Sequence, residues 1–405
     1  MAVFLHSEGR SYTYDELVDS INSGSMYYPL FQTKDLYVYF VNLIKALVTN
    51  QPITLIDSDC SSADMPYLDF ALINQPAIVP TNKFEDINAL IDAVKCSKSK
   101  VAVFTSGTTG QPKKVVHSVG TLARNVRVGE NYKEHVWAFA YNPTHMAGTQ
   151  VFFQAFMNQS TIVNVFGESR KIVYETIERF GVTHISATPT FYRMLLPFDK
   201  EYPSVKRVTF GGEKSDKQLY EHICQIFPNA KVNNVYASTE AGSLFATKND
   251  CFLIPENIRS KFRVENDELL IHKSLLGTSD SFIYDGEFYH SGDLIEWLNE
   301  ADGLFRFKSR KNELINVGGY KVNPGEVEDV INAIEGVQQS LVYGRANSIL
   351  GNIVVAEVKV VDGSTLTELA IRQELSGKLQ DFKVPRKIRI VDALLQTRTG
   401  KLKRS

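Results

Sequence analysis

Residues 105–113 read Thr-Ser-Gly-Thr-Thr-Gly-Gln-Pro-Lys and directly follow the apolar run VAVF at 101–104. The loop therefore packs hydroxyls, glycines and a lysine behind a strand. Thr105, Ser106, Thr108 and Thr109 offer hydroxyl donors, Gly107 and Gly110 let backbone N–H groups turn toward an anion, and Lys113 adds positive charge. Such a loop can cradle a triphosphate without help from a helix dipole. The competing reading is a flexible surface turn. A Walker loop is excluded, because the spacing G-x-x-x-x-G-K-[ST] does not occur.

Outward from this loop the chain alternates between strand and helix. ITLID at 53–57, AIVP at 77–80 and KVVHS at 114–118 have strand character, and residues 14–48 are helix-rich. HVWAFA, TIVNVF, HISAT, RVTFGG and KVNNVY follow as further strands, with KIVYETIERFG and KQLYEHICQIF as amphipathic helices between them. This predicts α/β layers. From about Phe252 the pattern changes to short strands with Asp-Gly turns at 285–286 and 302–303, which predicts a hairpin-rich β region. Strand and helix alternate again after Arg310, where VNPGEVEDVINAI opens a helix near a proline. Two domains are expected, residues 1–309 and 310–405.

Composition narrows the function classes. Basic and acidic residues number 44 and 46, for a net charge of -2, so no bulk field favours nucleic acid or an anionic membrane. The 43% hydrophobic content fits a folded globular chain. Cys60, Cys96, Cys224 and Cys251 form no zinc-type cluster and read as reduced core thiols. The opening residues lack a signal-peptide pattern, and the run from Phe40 to Val48 is short and broken by Lys45, so a cytoplasmic enzyme with no membrane partner is expected.

The 105–113 loop resembles the signature of the adenylate-forming superfamily, which comprises acyl-CoA synthetases, peptide-synthetase adenylation domains and luciferases. Further motifs recur in that family's order. Residues 236–240, YASTE, resemble its adenine and magnesium motif, although alone they could equally cap a helix. Ser291-Gly292-Asp293 resembles its ribose motif, residues 309–328 its hinge motif, and residues 397–401, TRTGK, its terminal lysine motif. SYTYDEL near the start resembles its opening motif, in an N-terminal region shorter than the family's.

The resemblance implies a large domain of stacked α/β sheets with a small distorted β-barrel, then a small α+β domain. It also implies roles. Thr105 to Gly110, Lys113, Gly212, Glu213, Tyr236, Ala237 and Ser238 would hold ATP, with the Tyr236 ring stacking on adenine. Asp293 would accept from the ribose hydroxyls and Arg310 would add a charge-assisted contact. Glu240 would ligate Mg²⁺ beside Thr239. Lys401 would place its charge between the carboxylate and the α-phosphate, a role the basic tail would not suggest by itself. Asn312 would be the hinge, where the family usually has aspartate or lysine, and Gly318 and Gly319 would lie along the pantetheine arm. Other departures are Ser309 for glycine, Lys114 for glycine, Ala237 for glycine and Leu395 for proline.

Residues 142–148 sit where the family starts the helix lining its acyl pocket. His145 fits either a gate beside the carboxylate or a satisfied structural histidine. Amino-acid-activating relatives place an aspartate after it to pair with an ammonium group, whereas this chain has Met146. With Gly148, Phe191 and Gly211 as further wall residues, a neutral aryl or aliphatic acid is implied. The expected activity is ATP-dependent formation of an acyl-AMP and transfer to coenzyme A. The alternatives are loading of an acyl carrier protein's phosphopantetheine and a degenerate nucleotide-binding protein.

Overall fold

The computed structural model describes residues 2–80, 83–105, 112–247, 251–347, 350–361, 363–396 and 402. The largest sheet runs, in spatial order, Gly242–Thr247, Lys231–Ser238, Arg207–Gly211, His184–Ala187, Val136–Phe139, Thr161–Asn164, Val3–Ser7 and Arg10–Thr13. Its six inner strands are mutually parallel and the two edge strands antiparallel. Parallel strands need crossovers, and the helices Arg170–Phe180, Pro189–Met194 and Lys217–Ile226 provide them. Val173, Ile177, Leu219, Ile223 and Ile226 of these helices are buried against Ile185, Val208 and Phe210 of the sheet.

A second sheet joins Leu30–Phe31, Ile53–Leu55, Lys100–Phe104 and Lys114–Ser118. The helix Leu36–Val48 packs nine buried residues between the two sheets, Phe40 and Leu43 among them. The region after Phe252 forms the expected hairpins in a six-stranded antiparallel sheet, with Phe288–Asn299 pairing Leu304–Arg310 across the 302–303 turn. Residues 315–388 build a separate apolar core around Ile315, Val327, Ile331 and Val354. There the strands Ile315–Val317, Tyr320–Val322, Val337–Asn347, Gly351–Val360 and Lys387–Ile390 pack on the helices Pro324–Asn332 and Glu368–Ser376.

One element was not anticipated and one expectation changes. Residues 3–13 form a hairpin, turned at Glu8 and Gly9 with φ of 51° and 77°, and its first strand completes the large sheet. All four cysteines are free, but only Cys60 is a core thiol; Cys96 caps the end of the helix Ile87–Lys95 and is exposed, and Cys224 and Cys251 are half-buried. Among the described residues no helix is long and apolar enough to cross a membrane.

Candidate active site

The parallel strands set the site. Val136–Phe139, His184–Ala187, Arg207–Gly211 and Lys231–Ser238 lie side by side in register, Ala187 beside Phe210 and Gly211 beside Val235. Their carboxyl ends therefore open into three neighbouring loops, 140–145, 212–216 and 239–241, and the helix start at Thr188–Phe191, which is where ligands bind in open parallel sheets. Gly212, Glu213, Tyr236 and Ala237 line a cavity of about 430 Å³ together with Asp293, Arg310 and Leu402. That volume suits a small-molecule ligand.

Asp293 is the buried anion of this cavity. Its Oδ2 accepts from the Tyr236 hydroxyl at 2.5 Å and its Oδ1 from Arg310 Nε at 3.1 Å. Asp293 holds the Arg310 guanidinium well above its ordinary pKa, and burial followed by the Asp293 charge does the same for the Tyr236 phenol. The Tyr236 ring, expected as an adenine platform, borders the cavity but also packs against Phe245, Phe252 and Phe305 at 5.7–6.3 Å between centroids. It is thereby a strut for Asp293. Beside Ser291–Asp293 on the strand Phe288–Asn299, buried Glu268 accepts the Gly292 N–H at 2.9 Å, with Lys311 Nζ at 3.2 Å and His290 Nδ1 at 3.3 Å. Burial alone would raise this carboxyl, but the Gly292 N–H, Lys311 and the His290 hydrogen bond offset it and hold the pKa low.

The YASTE segment is the end of a strand and a turn rather than a helix cap, with Ser238 Oγ accepting the Ala241 N–H. Its backbone is pinned at two points. His117 Nε2 lies 2.9 Å from the Thr239 carbonyl, and the Gly277 N–H donates to the Glu240 carbonyl at 2.8 Å. Gly277 has to be glycine, since a Cβ would approach the His117 ring to 2.5 Å. Burial lowers the His117 pKa to about 4, so the ring is neutral at pH 7. The Glu240 side chain, half-exposed and fixed from both sides through its backbone, is a hard oxygen donor. Among the described residues no cluster of three acidic, His or Cys side chains forms an all-protein metal cage. One carboxylate suits Mg²⁺, which retains waters and takes its remaining ligands from phosphates.

On the acyl side, His145 is the N-cap of the helix Met146–Phe156 but makes no side-chain cap bond. Its Nε2 is 3.8 Å from Asp57 Oδ2, close enough for an ion pair when the ring is protonated and too far for a hydrogen bond. Asn142 Nδ2 donates to the same oxygen at 2.9 Å, and the Asp59 N–H to the other at 3.2 Å. Burial would raise the Asp57 carboxyl, yet His145 and these donors hold it below its usual range. Met146 is buried, with its sulfur near Gly242 and Gln150. Gly148 is required by packing, because a Cβ there would sit 2.3 Å from the Asn142 carbonyl oxygen. Gly211 faces Tyr141, whose hydroxyl would lie 2.9 Å from a Cβ. Phe191 packs against Tyr192 and the neighbouring apolar core, its N–H held by Thr188 Oγ1.

Other expected site residues lie elsewhere. Thr105 and Lys113 face each other at the base of the glycine-rich loop, joined by the Lys113 N–H to Thr105 Oγ1 bond. Ser106, Gly107, Thr108, Thr109, Gly110 and Lys401 lie outside the described residues. Gly318 and Gly319, with φ of 56° and 92°, form an exposed hairpin tip that does not line the cavity. Asn312 is exposed in the short turn Lys311–Glu313. Asp57, His117 and Glu268 were not anticipated. Each sits at the edge of an apolar run beside other polar residues, so no local pattern singled it out.

A family model described as AMP-binding enzyme matches residues 44–264, and one described as AMP-binding enzyme C-terminal domain matches residues 326–401. A 2-succinylbenzoate–CoA ligase of Listeria monocytogenes serotype 4b is 27% identical, covering 78% of this chain and 71% of its own. Among solved structures, ATP-bound MatB from Rhodopseudomonas palustris superposes with a TM-score of 0.77 at 18% identity, over 99% of this chain and 94% of that one. The o-succinylbenzoate CoA synthetase (MenE) from Bacillus subtilis, in complex with its acyl-adenylate intermediate OSB-AMP, gives 0.74 at 19% identity, over 100% and 94%.

Proposed function

Because the chain belongs to the AMP-binding enzyme family, we propose that it is an acid–thiol ligase of the AMP-forming acyl-CoA synthetase type. It activates a carboxylic acid with ATP to an acyl-AMP, releases pyrophosphate, and transfers the acyl group to the thiol of coenzyme A. The observation that carries this reading is the convergence of Asp293, Arg310, Glu213 and Leu402 on one cavity at the carboxyl ends of the parallel strands.

The residue roles follow from the chemistry of that cavity. Asp293, already desolvated and oriented by Tyr236 and Arg310, accepts from the ribose hydroxyls. Gly212 to Glu213 and Tyr236 to Ser238 border the adenine and phosphate path, with the 105–113 loop on the triphosphate. Glu240, next to Thr239, would hold Mg²⁺ from the protein side, and the ion would supply neutralising charge to the phosphates of ATP. Lys401 supplies the positive charge that stabilises the pentavalent transition state at the α-phosphate. His145, anchored over Asp57, faces the acid's carboxylate, and Met146, Gly148, Phe191 and Gly211 belong to the acyl wall.

Residues 310–405 form the moving unit, hinged at Asn312. Its turn brings the exposed Gly318–Gly319 tip to the pantetheine arm. With Met146 in place of an aspartate, the acid is a neutral aryl or aliphatic one. The enzyme works in the cytoplasm, where ATP and coenzyme A are available to it. The test is to incubate the protein with ATP, Mg²⁺ and a panel of aryl, aliphatic and amino acids, and to follow AMP release and thioester formation. A thioester with free coenzyme A and one acid class is expected. Thioester formed only on an acyl carrier protein would move the acceptor to that partner, and no AMP with any acid would refute the ligase assignment.

A further inference from the structure

The loop after the strand Arg207–Gly211 holds the 310–405 unit at two separate places with two consecutive residues. Gly212, at φ 84°, turns the chain sharply at the strand end. The Glu213 carboxylate is then divided between partners. Oε2 accepts the Thr190 N–H at 3.1 Å and the Thr190 hydroxyl at 2.7 Å, both from the large unit. Oε1 accepts the Leu402 N–H at 2.9 Å. Leu402 is also bridged to Gln396, so the two residues flanking the 397–401 motif are joined to each other and the outer one is fixed to the large unit. Lys214 Nζ meets Asp329 Oδ2 at 2.5 Å, on the helix Pro324–Asn332.

From these contacts we propose that Glu213 and Lys214 are positioning residues for the first half-reaction: a two-point latch that seats the small unit so that the residue preceding Leu402, Lys401, serves adenylation. The inference rests on the function proposed above. Thr190 presets the Glu213 carboxylate, so one oxygen waits for the tail at little further entropic cost. The Lys214–Asp329 pair is 38% and 47% exposed, and such a pair contributes weakly. A weak outer contact beside a preset inner one suits a unit that must hold one orientation for acyl-AMP formation and then leave it. The latch therefore acts on one half-reaction. Acyl transfer from a preformed acyl-AMP does not need Lys401 at the phosphate, so it does not need the latch.

The experiment compares the full-length wild type with Glu213→Gln, Lys214→Asp, Asp329→Lys and the double swap Lys214→Asp/Asp329→Lys. Two activities are read: acid-dependent exchange of labelled pyrophosphate into ATP, and acyl transfer from synthetic acyl-AMP to coenzyme A. Exchange kcat is expected to fall on the order of 10-fold in Glu213→Gln and in each single charge reversal, while the KM for ATP stays within about 3-fold in the Lys214 and Asp329 variants. The swap should recover exchange to within about 3-fold of wild type. Acyl transfer in the Lys214 and Asp329 variants should stay within about 2-fold. Undiminished exchange in Glu213→Gln and Lys214→Asp would overturn the latch while leaving the ligase standing. An equal fall of both activities without rescue by the swap would do the same, marking a folding effect. Absence of exchange in the wild type would overturn the ligase reading and the latch with it.

Discussion

The nucleotide side and the acyl side of the site are built on opposite plans. Around Asp293, buried charge is shared among Tyr236, Arg310 and, through the adjoining turn, Glu268 and Lys311, residues drawn from distant parts of the chain. Around His145, a single buried carboxylate, Asp57, sits in an otherwise packed wall of Met146, Gly148 and Phe152, and backbone contact dictates the glycine. In the proposed roles the first arrangement fixes chemistry common to every turnover, that of ATP. The second fixes shape, so it can differ between enzymes that choose different acids. Between them lies the Thr239–Glu240 turn, held by His117 from one side and by Gly277 from the other.

The contrast breaks first at Asp293. Removing its carboxylate in Asp293→Ala strands the Arg310 charge and, in the proposed role, takes away the acceptor for the ribose hydroxyls, so kcat/KM for ATP should fall on the order of 10²–10³-fold. The loss should be the same for every acid that the enzyme accepts; a loss that varied with the acid would merge the two sides into one network.

A smaller effect comes from the turn between them. The His117 pKa of about 4 lies below the ordinary 6.5, so below pH 6.5 the unfolded chain binds a proton that the folded protein refuses until about pH 4. Stability therefore falls as pH drops through that window, by on the order of 3 kcal/mol from this residue. Denaturant melts from pH 7 to 4 should show the slope, and His117→Gln should flatten it while leaving the share of His184, whose pKa is about 3 for the same reason of burial. An unchanged slope in the variant would place the acid sensitivity elsewhere.

The smallest effect sharpens the acyl side. Asp57→Asn keeps the shape and the Asn142 contact but removes the charge beneath His145, and should raise the KM for the acid roughly 10-fold with the KM for ATP unchanged. A change in the KM for ATP instead would detach Asp57 from acid recognition.

The two sides were unequally legible in the sequence. Asp293, Arg310, Glu240 and the 105–113 loop were picked out through the resemblance to a family whose motifs recur in a fixed order, and the structure brings Asp293 and Arg310 to one cavity. Five parallel strands of the large sheet, at 136–139, 161–164, 184–187, 207–211 and 231–238, were found because their apolar runs are bounded by turn residues, and the antiparallel hairpins because Asp-Gly marks their turns at 285–286 and 302–303. Glu268 and Asp57 were missed because their partners lie 24 and 85 residues away in sequence, a pairing that no local period encodes. The first strand escaped notice because its partner strand, Thr161–Asn164, lies about half the large unit away in sequence. Cys96 read as a core thiol because chemistry alone favours burial of a free cysteine; its place at the end of an amphipathic helix puts it in solvent.

The central claim is that the protein makes an acyl-AMP. Exchange of labelled pyrophosphate into ATP, driven by one carboxylic acid class and compared between the wild type and Lys401→Ala, tests it most directly. The prediction is exchange in the wild type and a loss of ~10²-fold or more in the variant, with ATP binding retained. ATP binding without exchange for any acid would contradict the claim and leave a nucleotide-binding protein that does not activate acids.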